Sequence, residues 1–209
     1  MSRSKMNLPN KLTVLRIIMV PIFLVIMMLP DSVIPFNVSG IIGIAIFIIA
    51  SLTDMLDGKI ARKYNLVTDF GKLMDPLADK FLVIGALTVM SYRYATVGLR
   101  VPFVLFMIAL LIVVFRELAV TSIRLVAASS GGVVIAANML GKIKTVTQII
   151  CICAAVIEPT VYSVAGISCD WCITYLPATS VLCVAMIIIT IWSGINYIVG
   201  GWKFIDPEK

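Results

Sequence analysis

Six long apolar segments divide this chain, and they limit its fold more than any other feature of the sequence. They cover residues 12–29, 38–53, 73–92, 102–128, 139–157 and 173–200. A helix of about 20 apolar residues crosses a bilayer, and within lipid every backbone polar group has to be bonded inside the segment. The sequence therefore predicts an all-α integral membrane protein with six transmembrane helices.

The composition agrees with a membrane location. Hydrophobic residues make up 61% of the 209 residues and charged residues 13%, whereas roughly a quarter of a soluble protein is charged. The mean hydropathy is +1.09. We expect one membrane domain over residues 1–209, without a separate soluble domain or a removable signal peptide. Nucleic acid is not expected as a partner, because no loop is long enough for a basic binding face.

Basic residues indicate the orientation, because cytoplasmic loops of membrane proteins carry an excess of Lys and Arg. Most of them precede the first segment, separate the second from the third, or follow the last, while Arg93 and Arg100 fall on the opposite side. Six spans then place both termini in the cytoplasm. The polar run before the first segment predicts a short interfacial helix that anchors the chain. Alternatively, Asn10, Thr13 and Arg16 reach toward a bound ligand at this surface.

Four aspartates lie at one predicted membrane boundary. Asp54 and Asp57 are three residues apart, and Asp75 and Asp79 are four apart, so each pair shares one face of a helix. A tight turn near Asn65 would make the two helices antiparallel and bring the pairs face to face. Carboxylates that close repel one another, and two divalent cations would relieve the repulsion. Mg²⁺ or Mn²⁺ suits oxygen ligands, and a two-ion site suits phosphate chemistry.

Small and basic residues accompany the aspartates. Gly58, Ala61 and Gly71 have small side chains or none, so that a nucleotide diphosphate could lie against the backbone beside the aspartates. Arg62 could bind a phosphate through two parallel hydrogen bonds. The competing interpretation is an interfacial loop whose acids are solvated and paired with the neighbouring Lys and Arg side chains.

This spacing resembles a known family signature in every fixed position. The residues are Asp54-x2-Asp57-Gly58-x2-Ala61-Arg62-x8-Gly71-x3-Asp75-x3-Asp79, and they are identified as the motif of the CDP-alcohol phosphotransferases. The resemblance implies an enzyme of a bacterial cytoplasmic membrane that works as a homodimer. It also implies that an alcohol attacks the lipid-side phosphorus of a CDP-linked lipid and that CMP leaves.

The same resemblance implies roles for individual residues. Asp54, Asp57 and Asp75 would be metal ligands, and Asp79 would be both a ligand and the general base. The site for the CDP-linked lipid would be formed by Gly58, Ala61, Arg62 and Gly71. From their position at the same membrane surface, Asn10 and Thr13 are also expected to contribute to it.

A second cluster is cationic and consists of Arg116, Arg124, Lys142 and Lys144. Two arginines within an apolar segment are costly to bury without a partner. One interpretation is that they extend to the interface, with Glu117 neutralising one of them at most. The other is an anion pocket that faces the metal site and binds the phosphate of an acceptor.

These cations, and the run from Asn7 to Arg16, are similar to bacterial family members that use a phosphorylated acceptor. The implied substrates are CDP-diacylglycerol and sn-glycerol 3-phosphate, and the implied products are phosphatidylglycerolphosphate and CMP. Inositol phosphate, serine or phosphatidylglycerol as the acceptor stays open. A divalent-cation transporter is a further alternative, although its acids would be expected near the bilayer midplane.

Five cysteines complete the set of chemically distinctive residues. Cys151, Cys153 and Cys183 lie in apolar segments and are expected to be small core residues. Cys169 and Cys172 fall in a predicted loop with C-x-x-C spacing, where a local disulfide stays open.

Overall fold

A computed structural model of the protein describes residues 7–64, 68–129 and 139–202. These residues form helices and contain no strand, which confirms the all-α prediction. The helices are α1 (Leu8–Met28), α2 (Phe36–Lys63), α3 (Asp69–Thr96), α4 (Arg100–Ser129), α5 (Met139–Ala165), α6 (Asp170–Tyr175) and α7 (Pro177–Gly201).

The six long helices correspond to the six predicted apolar segments. Five stretches of the described residues are long and apolar enough to cross a membrane, and they include α1, most of α2, α4, α5, and α6 together with α7. Helix α3 carries more charge but has 28 residues, or about 42 Å at 1.5 Å per residue. The chain is therefore a multi-pass membrane protein.

Helix α1 begins earlier than the first apolar segment. The side chain of Asn7 accepts a hydrogen bond from the backbone N–H of Asn10 at 3.1 Å, and Pro9 lies in the first turn, where its missing N–H does no harm. Residues 8–12, which include Asn10 and Lys11, thus form the first turns of α1 and not the separate interfacial helix that the sequence predicted. Residues 1–6 lie outside the described part of the chain.

Aromatic side chains fill the core of the bundle. The rings of Phe23 and Phe47 lie 5.9 Å apart between α1 and α2, and Tyr94 meets Phe106 edge to face at 5.2 Å between α3 and α4. The Tyr94 hydroxyl donates a hydrogen bond to the carbonyl of Ala155 on α5 at 2.9 Å. Large apolar side chains also point outward, as lipid contact requires.

Arg93 is buried in the last turn of α3, whereas the sequence placed it in a loop. Its guanidinium donates to Ser39 Oγ at 2.8 Å and to the carbonyl of Phe36 at 3.1 Å, and it lies 4.0 Å from the centre of the Phe36 ring. These contacts replace the hydration that the charge would lose on burial. Arg93 thereby joins α3 to the beginning of α2.

The beginning of α7 is held by a buried carboxylate from α5. Glu158 accepts hydrogen bonds from the backbone N–H groups of Ala178 at 3.1 Å and Thr179 at 2.7 Å, and from the Tyr162 hydroxyl at 2.8 Å. A helix N-terminus has unpaired N–H groups and a partial positive charge, and both favour a carboxylate there. Glu158 therefore caps a helix other than its own.

Candidate functional site

Helix α1 contacts both aspartate pairs. The buried guanidinium of Arg16 forms salt bridges with Asp54 and Asp57, which confirms that these two carboxylates share one face of α2. One turn earlier on α1, the Thr13 hydroxyl donates a hydrogen bond to Asp75 Oδ1 at 2.6 Å. The two pairs are thus linked through α1, and Arg16 compensates part of their negative charge.

The beginning of α3 also packs against α1. Thr68 caps this helix by accepting a hydrogen bond from the N–H of Gly71 at 3.1 Å, and its hydroxyl donates to Asn10 Oδ1 at 2.8 Å. Gly71 is buried, and a Cβ there would lie 3.4 Å from Asn10 Oδ1 and 3.6 Å from Asp75 Oδ2. These are ordinary van der Waals distances, so the packing of the described residues does not by itself require glycine at position 71, and a role in binding the CDP-linked lipid stays a prediction.

The aspartates offer the oxygen donors that Mg²⁺ and Mn²⁺ prefer. Asp54 and Asp57 each contact Arg16 through one carboxylate oxygen, and carboxylate oxygens fit a hard divalent cation in their chemistry. Within the described residues, however, no three Asp, Glu, His or Cys side chains are arranged as a finished metal site. The two-ion site stays a prediction.

A cavity of about 930 Å³ brings the acidic and the cationic cluster together. Asp54 and Asp79 line one part of it, and all four predicted cations line another. The cations come from the second half of α4 and the beginning of α5. The predicted residues on its wall are Asp54, Asp79, Arg116, Arg124, Lys142 and Lys144, while Asp57 and Asp75 are not part of it.

Glu117 contacts two of the cations, one more than the sequence suggested. Its carboxylate accepts a hydrogen bond from Arg116 Nη1 at 3.0 Å and forms a salt bridge with Lys144. Arg116 Nη2 also donates to Ser193 Oγ on α7 at 2.8 Å. These partners hold Arg116 and Lys144 in place on the cavity wall.

Tyr197 is a site residue that sequence reasoning missed. It is 6% exposed, and its hydroxyl accepts a hydrogen bond from Arg124 Nη2 at 2.9 Å. The guanidinium carbons of Arg116 and Arg124 lie 5.3 Å and 5.1 Å from the centre of its ring, within the range of cation–π attraction. The available signal was a polar stripe at helical spacing, since Thr190, Ser193 and Tyr197 share one face of α7.

Lys80 is a second missed residue. It follows Asp79 on α3, and its Nζ donates a hydrogen bond to Thr121 Oγ1 on α4 at 2.7 Å. Both side chains line the cavity. Lys59 lines the cavity as well, so Lys59 and Lys80 add two basic residues to the four that the sequence predicted.

Some predicted residues cannot be compared with the structure. Gly58 lies in α2, directly after Asp57. Ala61 and Arg62 belong to the same helix, but their side chains lie outside what the structure describes, as does the turn predicted near Asn65.

The fold and the signature together define a class of membrane protein. Residues 6–201 match the family model described as CDP-alcohol phosphatidyltransferase. Because this match covers nearly the whole chain, the chain belongs to the CDP-alcohol phosphatidyltransferase family.

Curated relatives make the comparison more specific. A protein of Bacillus subtilis (strain 168) is 42% identical over 213 residues, which cover 97% of this chain and 99% of the relative. A protein of Haemophilus influenzae is 33% identical, with 93% and 92% covered, and one of Salmonella paratyphi A is 30% identical, with 92% and 93% covered. Each of the three is named CDP-diacylglycerol–glycerol-3-phosphate 3-phosphatidyltransferase.

Proposed function

We propose that this protein transfers the phosphatidyl group of CDP-diacylglycerol to sn-glycerol 3-phosphate, producing phosphatidylglycerolphosphate and CMP. The observation that carries the proposal is one cavity that is lined both by the signature carboxylates Asp54 and Asp79 and by the four predicted cations. The names of relatives that match nearly the full length of the chain agree with this activity.

The cations account for a phosphorylated acceptor. Arg116, Arg124, Lys142 and Lys144 together match a phosphate dianion, and a guanidinium can donate two parallel hydrogen bonds to it. Serine or free inositol carries no phosphate and would leave these charges without a ligand. We therefore assign the cationic wall to the phosphate of sn-glycerol 3-phosphate.

Asp79 is the proposed general base. It lines the same cavity as the cations, so an acceptor held by its phosphate can direct a hydroxyl toward this carboxylate. Asp79 accepts the hydroxyl proton while the oxygen bonds to the lipid-side phosphorus and the bond to CMP breaks. A carboxylate is a weak base for an alcohol, so orientation of the two substrates supplies much of the rate.

Two Mg²⁺ or Mn²⁺ ions are part of the proposal, with Asp54, Asp57, Asp75 and Asp79 as their ligands. Bound ions would neutralise the charge of the diphosphate and of the leaving group. The CDP-linked lipid would lie against the signature helices. Its proposed contacts are Gly58, Ala61, Arg62, Gly71, Asn10 and Thr13.

The same proposal includes the setting of the enzyme. Apolar residues such as Ile48, Leu52, Val120 and Ile149 border the polar part of the cavity, so acyl chains can extend from it into the bilayer. The excess of Lys and Arg supports a cytoplasmic active site and cytoplasmic termini in a bacterial inner membrane. We further propose that the enzyme works as a homodimer.

The test is transfer of label by the purified full-length protein in detergent. CDP-diacylglycerol, Mg²⁺ and radiolabelled sn-glycerol 3-phosphate should give a labelled lipid and an equal amount of CMP. Asp57→Asn is the matched inactive variant, since it keeps the size of the side chain and removes the charge that Arg16 pairs with.

Parallel reactions contain inositol phosphate, serine or phosphatidylglycerol in place of the labelled acceptor. Turnover of one of these without any use of sn-glycerol 3-phosphate would reject the acceptor but keep the chemistry. Failure with every acceptor, combined with divalent-cation flux in proteoliposomes, would favour a transporter.

A further inference from the structure

Cys169 and Cys172 lie at the opposite end of the bundle from the cavity. Helix α5 begins near Lys142 and Lys144 and runs for 27 residues, or about 40 Å, before the chain reaches these cysteines. Neither cysteine lines the cavity. The proposed transfer reaction therefore gives this pair no role.

The two thiols are in direct contact. Their Sγ atoms are 2.7 Å apart, and Cys169 Sγ also accepts a hydrogen bond from the backbone N–H of Cys172 at 3.4 Å. Cys169 is exposed and Cys172 is half-buried, so reagents in solution can reach the pair. Contact between the thiols and access from solution both favour joining this pair by a disulfide.

The electrostatic surroundings favour Cys169 as the more reactive thiol. The hydrogen bond from the Cys172 thiol, followed by that from the Cys172 N–H, lowers the pKa of Cys169 below its ordinary value. The thiolate is the nucleophile in thiol–disulfide exchange, so an exposed cysteine with a lowered pKa reacts first.

A second pair of cysteines in the core provides a comparison. Cys151 on α5 and Cys183 on α7 are joined by a hydrogen bond between their side chains, and both are 0% exposed. A soluble disulfide cannot reach them without opening the bundle. The protein thus contains one accessible pair and one sealed pair of neighbouring thiols.

We propose that Cys169 and Cys172 form a reversible intramolecular disulfide by exchange with a low-molecular-weight disulfide such as oxidised glutathione. The Cys169 thiolate attacks one sulfur of that disulfide, and the first glutathione thiolate leaves. The Cys172 thiolate then attacks Cys169 Sγ and releases the second glutathione. The two protons end on the two glutathione thiols, and reduced glutathione reverses both steps.

The bond would act on the connection between α5 and α7. It closes the first turn of α6, which leads through Leu176, with φ of 42°, directly into Pro177 at the beginning of α7. Oxidation therefore restrains this end of the bundle and leaves the cavity residues untouched.

The test uses the purified full-length protein in detergent, equilibrated with glutathione buffers that range from fully reduced to fully oxidised. Free thiols are blocked with a maleimide after denaturation, and intact mass and peptide maps are recorded. We expect the oxidised protein to lose two hydrogen atoms and to carry an internal disulfide in the peptide with Cys169 and Cys172. The other three of the five cysteines should still take up label.

Two variants separate the exposed pair from the sealed one. Cys172→Ser should stop the reaction at a glutathione adduct on Cys169, whereas Cys183→Ser should leave the oxidation of the exposed pair unchanged. Complete labelling of all five cysteines of the unchanged protein in oxidised buffer would overturn the proposal. Stable glutathione adducts on both Cys169 and Cys172, or disulfide-linked dimers, would overturn it as well.

Discussion

Tyr197 supports two arginines from a helix that carries none of the signature residues. Its ring faces the guanidinium groups of Arg116 and Arg124, and its hydroxyl accepts a hydrogen bond from Arg124. Because both arginines contact this ring, Tyr197 contributes to the distance between them, together with the contacts of Arg116 to Glu117 and Ser193. In the proposed reaction, that distance decides whether both arginines can bind the same acceptor phosphate.

Substitution of Tyr197 should therefore affect the acceptor more than the lipid. Tyr197→Phe removes one hydrogen bond to a charged group and should raise the KM for sn-glycerol 3-phosphate about 3- to 10-fold, and Tyr197→Leu should raise it further because the ring is lost as well. The kcat value and the KM for CDP-diacylglycerol should change less than about 2-fold, because they report other contacts. Steady-state kinetics with each substrate varied in turn measure kcat and the two KM values separately.

Trp192→Leu is the matched control for this experiment, because it removes an exposed aromatic ring from the same helix. It should leave both KM values unchanged. An unchanged acceptor KM in both Tyr197 variants would show that the tyrosine does not position the arginines.

At the scale of helices, Glu158 connects two elements through the backbone of α7. The first N–H groups of a helix have no partner within the helix, and in a membrane protein they have little access to water. Glu158 supplies acceptors from α5 and adds a favourable interaction with the helix dipole. The capping contact thus fixes the position of α7 along its axis relative to α5, and with it the position of Tyr197.

Glu158→Gln should lower stability without removing the fold. The amide keeps one acceptor oxygen but loses the charge, so we expect a loss of about 1–2 kcal/mol, seen as a lower Tm in detergent. Ser163→Ala changes an exposed polar residue on the same helix and should leave the Tm unchanged. Equal melting temperatures for Glu158→Gln and the unchanged protein would contradict the capping role.

The helices could be predicted from the sequence better than their ends. Apolar segments mark only the part of a helix within lipid, and α1 and α3 each begin four residues before their segments. The prediction that the second helix continues past its segment through Asp54 and Asp57 to Arg62 is confirmed, since α2 ends at Lys63. Arg93 was placed in a loop because a charge at the edge of an apolar segment usually marks an interface. Its partners, Ser39 and Phe36, lie on another helix, and only the packing brings them near.

The candidate site was predictable where its residues are close in sequence. The spacing of the aspartates places each pair on one helical face, and the salt bridges from Arg16 to Asp54 and Asp57 agree with this. Tyr197 is 73 residues from Arg124, and a single tyrosine in an apolar segment looks like a core residue. Such a contact depends on how α4 packs against α7, and no local sequence pattern indicates that packing.

At the scale of the whole molecule, we expect the fold to be stable without the proposed ions. The bundle is held by apolar packing around residues such as Phe23, Phe47 and Phe106, and Arg16 already compensates part of the aspartate charge. Removal of divalent ions should therefore stop the reaction without unfolding the protein.

Treatment with EDTA should reduce turnover by more than about 100-fold and leave the far-ultraviolet circular dichroism spectrum unchanged, because the proposed ions stabilise the reacting phosphates and not the core. Added Mg²⁺ or Mn²⁺ should restore turnover in the unchanged protein but not in Asp57→Asn. Full turnover in EDTA would reject the metal requirement, and loss of helix content would show that the ions are structural.

The group of cations on the cavity wall also has a consequence for the end of the proposed reaction. The acceptor keeps its phosphate when it becomes part of a lipid, so the product presents the same anion to Arg116, Arg124, Lys142 and Lys144 that the substrate did. Release of the product from the cations then has to be driven by other interactions. Two are available: the transfer of its two acyl chains into the bilayer, and competition from a new acceptor molecule for the same cations. Tighter binding of the phosphate would therefore slow product release, just as weaker binding would reduce capture of the acceptor.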